Sequence, residues 1–202
     1  MAGNSDSYKS TPVALHNQHS GASIILTVGH STHPIEDFLK MLAAHAVELL
    51  IDIRTIPKSR RNPQYNSDSL AQTLERTGIQ YRHMPGLGGL RHPRKDSINT
   101  AWQNAGFRGY ADYMQTPQFE ASLHQLIQVA DRQRTVIMCA EAVPWRCHRS
   151  LVADALMARG VTVEHILNGK AAKAHAYTAF ARVEGRQVTY PGLILFDQNL
   201  GA

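Results

Sequence analysis

The sequence predicts an α/β protein: a three-layer, Rossmann-like sandwich around a mostly parallel sheet of about five strands. Three observations carry this. Short, near-continuous apolar runs recur at residues 24–28, 49–53, 135–139 and 161–167, as strands buried on both faces require. Between them, apolar residues return every three or four positions, the period of a helix packed on one side. The two patterns alternate along the chain, which implies parallel crossovers with helices on both faces of one sheet.

The elements follow in order. Residues 1–22 are polar and rich in Ser, Asn and His, and they read as an arm outside the domain. The first strand, 24–28, stops at Gly29-His30-Ser31. Pro34 suits the first helical position, and Ile35, Phe38, Leu39, Leu42 and Ala46 repeat with helical spacing. The second strand ends near Asp52 and Arg54, and a polar loop over 57–63 follows. Ser67 or Asp68 caps a helix carrying Leu70 and Leu74, closed by Gly78. A third, less apolar strand over 80–84 runs into Pro85-Gly-Leu-Gly-Gly89, which reads as a turn. Residues 90–106 have no period. One or two helices cover 107–131, with Pro117 opening the second. After the fourth strand, Leu151, Val152, Ala155, Leu156 and Met157 mark a helix ended by Gly160, and the fifth strand closes the pattern. Residues 170–180 allow a helix, and 188–196 an extra strand or packed extension. The expected organisation is a single domain over 23–202, with its core at 24–168 and an extension over 169–202.

A length of 202 residues with 43% hydrophobic and 18% charged residues fits one domain with a real core. The net charge is +5, and Arg outnumbers Lys fifteen to six among the 21 basic residues. Arg forks bind phosphate and carboxylate bidentately, so the bias suits an anionic small molecule or nucleic acid, as well as a plain solvated surface. Two cysteines exclude a disulfide scaffold. No apolar leader or run of about 20 apolar residues is present, so the expectation is a cytoplasmic chain with reduced thiols and no membrane partner. The oligomeric state and any cofactor are not legible.

Chemistry-bearing residues gather at the carboxyl ends of the expected strands, which share one edge of a parallel sheet. His30 and Ser31 follow the first strand, Asp52 and Arg54 end the second, His83 follows the third, and Cys139 and Glu141 end the fourth. The strand-to-helix turn from Val136 to Arg149 holds both cysteines. Cys147 is the better candidate for a reactive thiol: it precedes a helix, with Arg146, His148 and Arg149 beside it. It also reads as a small buried hydrophobe, and Cys139 reads more simply as core. Asp52 and Glu141 are either paired structurally or work as acid and base. Arg54, Arg60 and Arg149 near a helix N-terminus suit an anion. A metal held by Cys139, Cys147, His148 and His30 or His83 is a further alternative, although no zinc-knuckle spacing supports it. The phosphatase loop of Cys, five residues and Arg is absent, because Trp145 stands at that place after Cys139.

Four ordered motifs carry a resemblance: TVGHSTH over 27–33, DIRTIPKSR over 52–60, Tyr81 with LGG at 87–89, and MCAE at 138–141 followed by CHR at 147–149. Over residues 24–168 the chain resembles the bacterial and archaeal family called domain of unknown function 488. The resemblance implies that His30, Ser31, Asp52, Arg54, Ser59, Arg60, Glu141, Cys147, His148 and Arg149 stand on motif positions, and it implies no activity. The reading from sequence is therefore an enzyme, a hydrolase or transferase, acting on a phosphate-bearing or nucleotide-like substrate in an Arg-rich cleft. Asp52 or Glu141 would be its acid or base and Cys147 its nucleophile or redox-responsive thiol. The alternatives are a nucleic-acid-binding module without catalysis and a metal-dependent enzyme.

Overall fold

A computed structural model describes residues 24–192; the arm read over 1–22 and the end of the extension lie outside the described residues. Within them the chain forms β1 (Ile24–Gly29), α1 (Ile35–Ala44), β2 (Leu49–Asp52), α2 (Ser67–Glu75), β3 (Gln80–His83), α3 (Ala105–Tyr113), α4 (Pro117–Ala130), β4 (Thr135–Cys139), α5 (Arg149–Met157), β5 (Thr162–Ile166), β6 (Lys173–Ala174), β7 (Arg182–Glu184) and β8 (Gln187–Thr189). One sheet has the order β3-β2-β4-β1-β5-β6, parallel except for β6. The strands alternate their side chains between two apolar layers. Leu26, Val28, Leu50, Val136 and Met138 meet α1 and α2 on one face. Ile25, Leu49, Ile51, Ile137 and Val163 meet α3, α4 and α5 on the other. This is the three-layer arrangement, and each fully buried Leu or Ile contributes about 1.5–3 kcal/mol to it.

Local chemistry sets the boundaries. Thr116 accepts the Phe119 N–H and Pro117 takes the first helical position, so α4 begins there and buries Phe119, Leu123 and Leu126. Asn104 caps α3 by accepting from Gly106 and Phe107, which starts this helix two residues before the predicted 107. Gly78 and Gly160 close α2 and α5 with φ of 77° each. Helix α5 is buried around most of its circumference, which puts Arg149 and Asp154 inside the protein.

The extension departs from expectation. Residues 170–180 are not a helix. Lys173–Ala174 pairs antiparallel with β5, after which Asp154 takes His175 Nε2 at 2.8 Å, the Thr178 N–H at 3.0 Å and its hydroxyl at 2.7 Å. Those bonds tether an extended backbone to α5 and outweigh weak helical spacing. Of 188–196, the described part contributes β8, which pairs with β7 in a hairpin turned at Gly185.

Candidate functional site

The chain leaving β2 turns outward to β3 through α2, whereas the chain leaving β4 crosses to β5 through α5 on the opposite face. Between two such diverging loops an open parallel sheet leaves a crevice at its carboxyl edge. A cavity of about 980 Å³ lies there, lined by the residues that follow β1, β2 and β4, by 89–93 and by the start of α3. Ser31 and Leu90, on its wall, hold φ of 46° and 52° although neither is glycine. Such left-handed residues gather where a structure serves a site.

The end of β1 fits against the chain after β4. A Cβ at Gly29 would stand 1.8 Å from the Glu141 carbonyl oxygen, so only glycine allows the approach. Arg149 holds the same turn from below. Its two Nη groups donate to the carbonyls of Glu141 (2.5 Å) and Ala142 (2.8 Å), and its Nε has no partner among the described residues. Arg149 is wholly buried, so the anion-clamping role expected from sequence is not open to it; it is a cation built into the floor's support.

Asp52 and Arg54 form a closed knot. The Asp52 carboxylate accepts the Arg54 backbone N–H (3.0 Å), Nε (2.9 Å) and Nη2 (2.5 Å), and the Tyr81 hydroxyl (2.9 Å). Arg54 Nη2 also donates to the Tyr65 carbonyl, and Nη1 to His30 Nε2 at 3.3 Å. His30 donates from Nδ1 to the Ser31 carbonyl and stacks on the Tyr65 ring at 4.1 Å. Burial, with the Arg54 charge beside it, holds His30 below an ordinary imidazole, in the neutral form this bonding needs. His83 Nε2 donates to the Arg54 carbonyl at 2.8 Å. Of the two readings for Asp52, the geometry therefore favours pairing over acid/base work, and Arg54 spends its donors within the knot.

On the other face of the sheet lies a softer cluster. His148 Nε2 donates to the Ile53 carbonyl at 3.2 Å, which leaves Nδ1 as the bare nitrogen. Nδ1 faces Cys147 Sγ at 3.7 Å and Cys139 Sγ at 3.9 Å. The Arg149 N–H points at Cys147 Sγ from 3.5 Å, and Tyr110 packs on the imidazole with ring centroids 4.9 Å apart. The two sulfurs and Nδ1 all lie within 4.8 Å of one another. Donation from Cys147 holds the Cys139 thiol well below the ordinary range, with His148 and Arg149 adding to it; burial pushes the Cys147 thiol up. Sequence favoured Cys147 as the activated thiol; the structure sets it against Cys139 around one imidazole, with the Arg149 N–H directed at Cys147 Sγ. Among the described residues, Cys139, Cys147 and His148 are the group able to hold a metal; His30 and His83 are engaged in the knot.

Glu141 is exposed on the cavity wall, and its carboxylate makes no bond or ion pair among the described residues. Ser59 lines the cavity while its hydroxyl accepts the Asn62 N–H; Arg60 is exposed and outside the lining. Besides Arg54, the lysines and arginines on the wall are Lys58, Arg61, Arg91 and Arg146; sequence had noted Arg146 beside Cys147 but placed none of these four in the anion clamp. Arg91 is fixed, its Cζ 3.6 Å above the Tyr113 ring and its Nε on the Gly88 carbonyl. Gly89 was also missed as a site residue. Thr55 draws its carbonyl in at 3.0 Å, and a Cβ there would stand 3.0 Å from His148 Nδ1.

A family model described as "Domain of unknown function DUF488" matches residues 34–156. No curated protein and no solved structure matches the chain.

Proposed function

The chain belongs to the family of the domain of unknown function DUF488, and we propose that it is an enzyme acting on an anionic, phosphate-bearing or nucleotide-like substrate bound at the carboxyl edge of its sheet. One observation carries this reading: Lys58, Arg61, Arg91 and Arg146 line the cavity with Glu141 as the acid among them. Arg54, the other cation on the wall, is already neutralised by Asp52. Four cations around one void raise the local concentration of anions and offer forked donors to phosphate oxygens. The volume suits a nucleotide, and Ile56, Leu90 and Phe107 supply apolar wall for a ring. Glu141 is the acid or base, and the sulfur–imidazole floor is where bonds change.

A ligand that binds only the folded chain raises Tm, by about 2.7 kcal/mol of added stability at a hundred times its Kd. Tm should rise from adenosine to ADP to ATP, and Arg61→Ala with Arg146→Ala should weaken ADP about tenfold or more. A flat response to every phosphate compound at millimolar concentration would defeat the reading. A nucleic-acid module without catalysis draws on the same cations and on Trp145, which is 64% exposed. It requires a steep fall of affinity with salt for short DNA or RNA and no turnover of small phosphates.

A further inference from the structure

We infer that Cys139 Sγ, Cys147 Sγ and His148 Nδ1 form a binding site for a divalent, borderline-soft cation of the zinc class, with one coordination position open to the cavity. Donor spacing is the first argument. With bonds of about 2.3 Å to sulfur and about 2.05 Å to nitrogen, two donors of a tetrahedral ion stand roughly 3.6 Å apart for S and N and roughly 3.8 Å for S and S. The chain places Nδ1 3.7 and 3.9 Å from the two sulfurs, and all three atoms lie within 4.8 Å of one another. A set of two thiolates and one imidazole is the chemistry that zinc selects, and three protein ligands leave the fourth position of an open site.

The surroundings are arranged for ligation. The Ile53 carbonyl takes the Nε2–H, which fixes the imidazole tautomer and aims the Nδ1 lone pair at the sulfurs, as a second-shell acceptor does. Gly89 keeps the space beside Nδ1 free, since any Cβ would intrude to 3.0 Å. Arg149, buried behind the cluster with no carboxylate partner among the described residues, favours the thiolate forms that ligation needs. Accessibility decides between ligands and a free nucleophile. Cys139 is 7% and Cys147 3% exposed, enough to line the cavity but little for an attacking sulfur that must reach a bound substrate. Binding leaves both sulfurs as thiolates: one cation enters, and each proton that a thiol carries at that pH leaves to solvent. The ion's use, polarising a phosphate oxygen or water beside Glu141, rests on the cavity reading above; its binding does not.

The test uses the full chain, stripped of metal with chelator under reducing conditions and titrated with Co²⁺. The expected result is one equivalent bound, with the visible bands of a tetrahedral ion, a sulfur-to-cobalt charge-transfer band and displacement by one equivalent of Zn²⁺. Cys147→Ser should abolish the charge-transfer intensity or cut it deeply. Gly89→Ala keeps every donor and should weaken Co²⁺ about tenfold, the scale of a disturbed ligand shell; it decides the matter if the cysteine variant fails to fold. Octahedral cobalt alone, or wild-type affinity in Gly89→Ala and Cys147→Ser, would overturn the inference. Pyrophosphate binding by the metal-free chain separates the two claims. Pyrophosphate bound without tetrahedral cobalt removes the metal site alone, and tetrahedral cobalt without pyrophosphate removes the cavity reading alone.

Discussion

Two clusters end neighbouring strands of one sheet and differ in almost every physical respect. Asp52 closes β2 opposite Met138, and Cys139 closes β4 one residue later. The Asp52 side chain projects on the α1–α2 face among hard donors: guanidinium, hydroxyl and backbone N–H groups at 2.5–3.0 Å. The Cys139 side chain projects on the α3–α5 face, 3.9 Å from His148 Nδ1 and beside open space, in a cluster whose sulfur contacts span 3.5–3.9 Å. The first is satisfied and buried, so it fixes shape. The second keeps a bare nitrogen, two sulfurs and a cavity, so it has capacity left for a ligand. Charge at a strand end is thus a poor marker of reactivity; unspent bonding capacity next to a void is a better one.

The largest effect should come from opening the closed knot. Removing one partner of a buried ion pair leaves the other charge uncompensated, at about 3–5 kcal/mol. Asp52→Asn should therefore lower Tm by roughly 10 °C. Cys147→Ala in the metal-free chain should cost about 1–2 kcal/mol, the scale of an ordinary buried truncation. Thermal and urea unfolding of both variants measure the contrast, and equal losses would erase it.

A second closed network sharpens the same contrast through pH. Thr27 Oγ1 meets His165 Nδ1 at 2.7 Å, His165 Nε2 meets His175 Nδ1 at 2.9 Å, and His175 Nε2 reaches Asp154, which also accepts the Tyr190 hydroxyl. Burial, with the charge of His175 next, lowers His165 from 6.5 to about 4. The unfolded chain therefore takes up a proton at 6.5 while the folded chain refuses it until about 4. Stability is fully present above 6.5 and falls as pH drops toward 4. Tm followed from pH 8 to 4 should show this slope, and His165→Gln should flatten it. A slope unchanged by that substitution would assign it to another group.

The strands were legible because burial on both faces writes itself as near-continuous apolar runs, and the common edge followed from their direction. The extension was not legible, since Ala171, Ala174 and Tyr177 mimic helical spacing and only the fold reveals that Asp154 captures His175 and Thr178. The role of Arg149 was hidden for a similar reason. A cation on a motif position looks the same whether it meets substrate or backbone carbonyls, and burial of α5 decides. Strand alternation held an unused clue to Cys139: it shares a face with Ile137 and with the helix that begins after Cys147. Arg61 displaced Arg60 from the wall because the Ser59 hydroxyl caps a tight turn at Asn62, a local detail that composition does not carry.

The smallest effect concerns the cavity wall and runs opposite to the first. Leu90 holds φ of 52° with its side chain 77% exposed. A non-glycine residue in that region costs about 1–2 kcal/mol, and an exposed leucine returns little of it by burial. Leu90→Gly removes the strain but adds freedom to the unfolded chain, so the net gain should be roughly 0.5 kcal/mol, a Tm rise of about 1–2 °C. If the leucine is kept for contact with a substrate ring, the same change should weaken ADP severalfold and leave pyrophosphate, which has no ring, unaffected. Thermal unfolding paired with calorimetric titration of both ligands measures the two halves together. Equal loss for ADP and pyrophosphate would mean that Leu90 shapes the 89–93 backbone instead of touching a ligand, and the apolar wall would then owe its exposure to loop geometry.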